Sequence, residues 1–445
     1  MTLAIFRVMY YNKPDKRTKR EKNMDINELL AGKKDCSCSR PHCCSIERVA
    51  IGAGAIGELP SLLGGATRIL LIADENTYRA AGAQVEAALA ACRLERVIFP
   101  ASPLLIPDER AIERVNAALD GIELIVGVGS GVIQDLSKYV SFFSKIPYII
   151  VATAPSMDGY ASSGAAMILG GMKETVAVGL PRAIVLDTDV LKNAPMDMIR
   201  SGYGDIMGKY SSLCDWHLAH AVDGEYYCPY IDRVIRETVE ETRRAAAGLL
   251  RREEKAIEAL SRALVVVGIT LAFVGNSRPA SGSEHHLSHF FEIVGIERGE
   301  PYLPHGTDVA YAAVITARLR EALCARPWKE QLFRPTREQF LSDMRAQYGR
   351  VADGCVALQD KVGNYEKNRV PVYLCKEKEL RAILSEMPSA SEMEALFEEI
   401  GFRMADFYAF YGEEKIRNAI RYAKDLKDRY TVLWMYYDLF GDSAE

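Results

Sequence analysis

The stretch Ile122-Glu123-Leu124-Ile125-Val126-Gly127-Val128-Gly129-Ser130-Gly131 decides the fold. Its first seven residues are almost continuously apolar and rich in branched side chains, as a strand is when both faces of its sheet are covered. Glycines and a serine follow at once, and a helical pattern opens near Val132. The chain therefore passes from a buried strand through a tight turn into a helix. Glycines at such a turn let the backbone approach a phosphate closely, and the unpaired N–H groups at the helix start favour its negative charge. A tight turn with no ligand has the same sequence, so neighbouring segments must decide.

Residues 69–73 and 148–152 are further apolar runs of strand length, and residues 78–91 and 108–119 between them read as helices. From residue 46 to about 188 strands and helices alternate, the pattern of βαβ units in a mainly parallel sheet. Residues 165–169, the pair Gly170-Gly171 and residues 175–178 predict a hairpin, and 183–186 a last strand. Beyond about Asn193 strand signals cease, and residues 229–252, 254–274 and 413–439 predict long helices. A chain of 445 residues suits two domains. The expected class is α/β: a Rossmann-like, mainly parallel domain over residues 46–192, then an all-α domain over 193–445, with the active site in the cleft between them. Residues 1–45 form a basic and Cys-rich extension.

A formal charge of -5 provides no basic field, which argues against a nucleic-acid partner; any phosphate must be held locally. The longest strongly apolar run, residues 263–275, is too short to span a bilayer and reads as a buried helix, so no stable membrane insertion is expected. Basic residues Lys13, Lys16, Arg17, Lys19, Arg20 and Lys22 follow a weak apolar stretch, the reverse of a secretory signal, which predicts a cytoplasmic protein. Residues 1–23 are assigned no fold. Of ten cysteines, Cys36, Cys38, Cys43 and Cys44 sit together around His42. Closed zinc sites usually pair such a cluster with a second Cys pair far downstream, and none is visible. The cluster therefore reads as a reduced, solvent-near turn, with a structural metal the less favoured alternative.

Two glycine clusters compete for a cofactor's phosphates. Gly52-Ala53-Gly54-Ala55-Ile56-Gly57 satisfies G-x-G-x-x-G and has Asp74 about where an acid is wanted. Its preceding run carries Glu47 and Arg48 and reads as an edge strand, so this cluster is taken as a plain strand-to-helix turn. The cluster at Gly127 to Gly131 is preferred. Asp74, at the end of its own strand, can accept from a ribose hydroxyl, which would favour NAD over NADP, or can cap the next helix. Thr153, Ser156, Asp158 and Ser162 lie after another buried strand, at the end where α/β sheets hold ligands. Three of seven histidines fall in SGSEHHLSH as His285, His286 and His289, and another in PHG as His305. His285 and His289 share a helix face while His286 points elsewhere. Two imidazoles and a carboxylate, for which Asp205 is the candidate, would make a catalytic metal set with an open position. His217 and His220 read as packing.

Together these motifs resemble the glycerol-1-phosphate dehydrogenases, within the superfamily of iron-containing alcohol dehydrogenases, glycerol dehydrogenase and dehydroquinate synthase. ADENTY, GVGSGVIQDLSKY, TAPSMDGYASS, SGYGDIMGKY, SRPASGSEHHLSH and PHGTDVA occur in family order between Ile46 and about His305. The resemblance implies that Asp205, His285 and His305 hold one divalent metal, zinc or nickel. It implies that Asp74, the run Gly131, Val132, Ile133, Gln134 and Asp135, and Thr153, Ser156 and Ser162 contact NAD(P), while Asp158, Asp205 and His289 serve substrate and catalysis. The chain departs from the family in placing Ser130 between Gly129 and Gly131. The implied reaction is reduction of dihydroxyacetone phosphate to sn-glycerol 1-phosphate by a homodimer or higher homo-oligomer. Lys209 and Arg278 are the first candidates for the substrate phosphate, and either could instead be a structural ion pair. The alternatives are a dehydrogenase of unphosphorylated glycerol, a dehydroquinate-synthase-like lyase, and a non-catalytic metal-binding protein built on the cysteine cluster.

Overall fold

The computed structural model describes residues 25–170 and 172–441. The basic stretch before Met24 and Gly171 of the expected turn lie outside them. Eight strands are described: β1 (Arg48–Gly52), β2 (Arg68–Asp74), β3 (Arg93–Phe99), β4 (Leu124–Gly129), β5 (Tyr148–Ala152), β6 (Gly164–Leu169), β7 (Met172–Ala177) and β8 (Ala183–Asp187). Six form one parallel sheet in the order β1-β8-β5-β4-β2-β3, and β6 and β7 pair antiparallel as a separate hairpin. The α/β expectation holds. In β2, Ile69, Leu71 and Ala73 enter the apolar layer on one face while Leu70 and Ile72 enter that on the other. Two covered faces are why the strand reads as an unbroken apolar run. β3 was not foreseen because it lies at the sheet edge, where Arg93, Glu95 and Arg96 are exposed and only Val97 and Phe99 are buried.

After β8 every described element is helical. The helices that matter for the site are α1 (Gly131–Ser144), inserted after β4, and then α2 (Met196–Met207), α3 (Lys209–Asp223), α4 (Pro229–Arg244), α5 (Glu254–Val274), α6 (Ser283–Arg298) and α7 (His305–Ala325). At 21 residues α5 is longer than the apolar run expected, and among the described residues it is the one helix long and apolar enough to cross a membrane. It is a core helix nonetheless, packed along the turn Asp158–Ala161 and against α4. The long helix expected over 413–439 is instead two, Met404–Tyr422 and Val432–Phe440, with a short 3-10 turn between. Buried polar side chains take the backbone groups at the break. Asp215 accepts from Val432 N at 2.8 Å, Arg278 donates to Tyr430 O at 2.6 Å, and Gln359 donates to Asp425 O and Lys427 O at 3.0 Å each.

The Cys-rich extension also departs from expectation. It is not a solvent-near turn: Cys36, Cys38 and Cys44 pack against the helical core, and His42 is buried. Cys228, the residue before α4, reaches the cluster from far along the chain, with its Sγ 3.6 Å from that of Cys36.

Candidate active site

The carboxyl ends of β2, β4 and β5, three neighbours in the sheet, bring Asp74, Gly129 to Gly131 and Thr153 to one edge. Helix α1 starts there with no side chain capping it. Its first intrahelical donor is Gln134 N, to Ser130 O at 3.0 Å, so the N–H groups of Gly131, Val132 and Ile133 are the orphan donors of a helix start. Such a helix start has donors free to meet an anion. The rival glycine cluster does not, because Gly54 N and Ile56 N already donate to the Asp187 carboxylate at 3.2 and 3.1 Å.

Asp74 does cap its helix, accepting from Asn76 N and Thr77 N through Oδ1 at 2.8 and 2.9 Å. Oδ2 takes no part in that cap. The Ile133 side chain is in the core, which leaves only its backbone for a ligand. Gln134 donates from Nε2 to Gly159 O at 2.7 Å, and its buried Oε1 has no partner. Asp135 and Ser162 meet at Lys138, a buried lysine that sequence reasoning passed over. Its Nζ lies 3.4 Å from Asp135 Oδ1 and 3.3 Å from Ser162 Oγ, and donates to Gly164 O at 2.7 Å. Thr153 and Ser156 are buried at the root of the same loop. Gln134 and Lys138 thus tie the segment 158–164 to α1.

That loop meets the helical half at Asp205. Asp158 N donates to Asp205 Oδ2 at 3.0 Å, and Ser201 Oγ donates to Ser156 O at 3.1 Å. Two glycines permit the approach. A Cβ on Gly202 would lie 1.9 Å from Pro155 O, and one on Gly306 would lie 2.0 Å from Ser201 O. Helix α2 can therefore touch both the loop and the start of α7, which delivers Asp205 and His305 to one place. His285 arrives from the first turn of α6, its Nε2 3.5 Å from Asp205 Oδ1 and its ring 5.1 Å from that of His305. One ligand atom from each of Asp205, His285 and His305 falls within 4.8 Å of the others. A carboxylate and two imidazoles on that spacing fit one divalent ion with a position left open. His289 stands beside them, its ring 6.2 Å from His285 and 5.7 Å from His305, outside the trio.

Two residues stand around this trio: Glu284, which was not anticipated, and Lys209, the phosphate candidate. Glu284 is buried and pairs with His285 Nδ1 at 2.7 Å, so it fixes the ring with Nε2 facing the site. Its signal was its adjacency to His285, but a glutamate in the first turn of a helix reads first as a dipole complement. Lys209 is fully buried, ion-paired to Asp205 Oδ1 at 2.6 Å and Asp158 Oδ2 at 2.7 Å, and donates to Ala280 O at 3.1 Å. Burial alone would raise the Asp205 pKa, but Lys209 and the two histidines outweigh it and hold the carboxyl well below the usual range. Asp158 goes the other way, pushed up by burial and by Asp205 beyond what Lys209 offsets. Burial and Lys209 depress His285, and its contacts with Asp205 and Glu284 more than reverse this.

Of the two roles open to Lys209 and Arg278, the structure shows the structural ion pair for both. Lys209 is spent within the site, and Arg278, 2% exposed, is committed to Glu225 at 2.9 Å and to two backbone carbonyls. His286 is buried with both ring nitrogens unpartnered and stands outside the trio, as its helix position required. His217 pairs with Glu386 at 2.9 Å, and His220 with Glu225 O at 2.6 Å, both stacking on Tyr227.

The iron-containing alcohol dehydrogenase family matches residues 50–195. A glycerol-1-phosphate dehydrogenase (NAD(P)+) of Bacillus subtilis is 31% identical over 375 residues, covering 82% of this chain and 84% of that protein. Its counterpart in Bacillus licheniformis is 29% identical over 425 residues, covering 92% and 94%. In fold, the chain is similar to the sulfoacetaldehyde reductase of Bifidobacterium kashiwanohense solved with NAD+, with a TM-score of 0.57, 15% identity, and coverage of 91% and 99%.

Proposed function

Because this chain belongs to the glycerol-1-phosphate dehydrogenase family, we propose that it catalyses the NAD(P)- and metal-dependent reduction of dihydroxyacetone phosphate to sn-glycerol 1-phosphate. The observation that supports the reading is the convergence of Asp205, His285 and His305 at the seam where the loop after β5 meets the helical half. When bound, NAD(P)H supplies the hydride and the divalent ion supplies Lewis-acid stabilisation of charge building on the C2 carbonyl oxygen. Asp205, His285 and His305 would hold the ion, with zinc or nickel suited to such nitrogen and oxygen donors. Asp74, the α1 start from Gly131 to Asp135, and Thr153, Ser156 and Ser162 would hold NAD(P). Asp74 Oδ2, left over by the cap, favours a ribose hydroxyl over a 2′-phosphate and hence NAD.

The chain's own groups do the remaining work. Lys209 keeps Asp205 ionised and in place, and pins Asp158 beside it. Asp158 orients a substrate hydroxyl, suited to that by burial and a raised pKa, which let it either donate or accept. His289 passes a proton to the C2 oxygen as the alcohol forms. Residues 46–192 serve the cofactor and 193–445 the metal and substrate. We read the assembly as a homodimer, for which the exposed, edge-to-face pair Phe142 and Phe143 offers apolar surface. Ten unpaired cysteines support a reducing, cytoplasmic setting.

The test is NADH oxidation with dihydroxyacetone phosphate and with dihydroxyacetone, with zinc, nickel or chelator, followed by chiral analysis of the product. Turnover of the phosphorylated ketone with chelator sensitivity is expected. Equal or faster turnover of dihydroxyacetone would make the protein a polyol dehydrogenase, and no net NADH consumption would move it to the lyase class.

A further inference from the structure

A second group of metal-ligating side chains lies outside the active site. Residues after the short helix Ile26–Leu30 fold back on themselves, with Lys33 N donating to His42 O at 2.9 Å and His42 N to Lys33 O at 2.8 Å. This turn aims Cys36, Cys38 and His42 at the helical half, where Cys228 at the head of α4 completes the set. Cys36 Sγ is 3.6 Å from Cys228 Sγ, and His42 Nε2 is 3.5 Å from both Cys38 Sγ and Cys228 Sγ. All four ligand atoms lie within 4.8 Å of one another.

These separations are those of a tetrahedral ion. Zinc bonds of about 2.3 Å to sulfur and about 2.0–2.1 Å to nitrogen give tetrahedral edges of about 3.8 Å between sulfurs and about 3.5 Å between sulfur and nitrogen. None of the three sulfurs is otherwise bonded covalently, since every cysteine is a free thiol. The surroundings also suit charged sulfur. Tyr226 donates its hydroxyl to Cys38 Sγ at 3.2 Å, an outer hydrogen bond of the kind that steadies a metal-bound thiolate. The His42 ring is clamped between Phe273 at 5.4 Å and Tyr230 at 6.1 Å, which fixes Nε2 toward the sulfurs. Three thiolates around a dication leave one net negative charge, and Arg40 and Lys33 stand over the adjoining Tyr226 and Tyr230 rings at 3.8 and 5.2 Å.

We propose that Cys36, Cys38, His42 and Cys228 hold a structural zinc ion, distinct from the catalytic ion at Asp205, His285 and His305. Three sulfurs and one nitrogen fill a tetrahedron and leave no position for substrate. The ion joins residues 192 positions apart and closes the N-terminal extension onto the segment before α4. That segment also carries Glu225, the ion-pair partner of Arg278, whose turn leads into the helix bearing His285. Cys43 is exposed and Cys44 contributes no ligand atom, so half of the cysteine cluster is outside the site.

Cobalt substitution of the wild-type chain tests this without reference to activity. The active-site trio contains no sulfur, so a thiolate-to-cobalt charge-transfer band in the near ultraviolet, with the intense visible bands of a tetrahedral ion, is expected only from the cysteine site. Metal analysis should find an ion per chain beyond the catalytic one. Cys228→Ser should abolish the band and lose that ion; Cys43→Ser should leave both. His285→Ala should lose the other ion and keep the band. A cobalt-loaded wild-type chain without a thiolate band, or one whose band survives Cys228→Ser, overturns the proposal. Because the spectrum is read on the unaltered chain, a Cys228→Ser protein that does not fold leaves the test standing.

Discussion

Replacing Lys209 by Met probes the charge arrangement on which the active-site reading rests. The ammonium is fully buried and lies 2.6 and 2.7 Å from the carboxylates of Asp205 and Asp158. Methionine keeps most of the volume and removes the charge, leaving two buried carboxylates facing one another. Removing one partner of a buried ion pair costs about 3–5 kcal/mol, because the other charge stays desolvated and uncompensated. With an unfolding entropy of about 2.1 cal/mol/K per residue, a chain of 445 residues shifts by about 1 °C per kcal/mol, so the metal-free variant should melt about 3–5 °C below wild type. Zinc should recover part of the loss, since a divalent ion on Asp205 replaces the missing positive charge. The pH dependence has a definite sign. Asp158 already has a raised pKa, and losing Lys209 raises it further, so its ionisation destabilises the folded variant as pH rises above the unfolded value. The deficit should therefore shrink as pH falls toward about 4. Thermal melts by circular dichroism, with chelator and with zinc, read all three. A metal-free K209M chain that melts within about 1 °C of wild type would refute the reasoning, since no buried pair would then have been broken.

Other consequences follow from the same contacts. Glu284→Gln replaces the charged partner of His285 Nδ1 by a neutral one, and metal affinity measured against a competing chelator should fall about 10- to 100-fold; unchanged affinity would mean the ring is oriented by something else. Gly306→Ala places a Cβ against Ser201 O and must part α2 from α7, costing about 1–3 kcal/mol and weakening metal binding as His305 moves from Asp205, an outcome that calorimetric zinc titration would detect or deny. Asp308 is buried under the Tyr411 hydroxyl, within 3.0 Å of both its oxygens, and burial pushes its pKa well above the usual value. A raised carboxyl pKa means stability lost as pH rises, so Asp308→Asn, which keeps an acceptor for Tyr411, should gain on wild type as pH climbs from about 5 toward 8, by up to about 1.4 kcal/mol for each pH step of one; a pH-independent difference in urea midpoint would sink this.

The parts of the molecule legible in the sequence are those whose cause is local. The runs that became β2, β4 and β5 are apolar at almost every position because both faces are covered, and that pattern is visible without knowing the partners. The spacing of His285, His289 and His305 was equally plain, as was the glycine turn into α1. What stayed hidden is polar chemistry whose partner is distant in the chain. Lys138 reads as an ordinary surface lysine, since lysine is rarely buried, and Lys209 stands out only as a phosphate candidate or an ion pair with no partner named; folding surrounds them with Asp135, Asp158, Asp205 and backbone carbonyls. The break between residues 422 and 432 depends on Asp215, Arg278 and Gln359, each reaching in from another part of the chain. Cys228 looked isolated for the same reason.

These hidden contacts lie where separate pieces of chain meet. Lys209 joins the loop after β5 to α2, Gly202 and Gly306 let that loop, α2 and α7 touch, and Cys228 would join the extension to α4. Each is a buried charge, a close backbone approach or a ligand set. An apolar seam would hold the pieces together with less desolvation cost. It would not fix Asp205, His285 and His305 within reach of one ion, because apolar contacts are non-directional and tolerate sliding. Directional ionic contacts restrict that sliding, so the seam trades some stability for the geometry the chemistry requires.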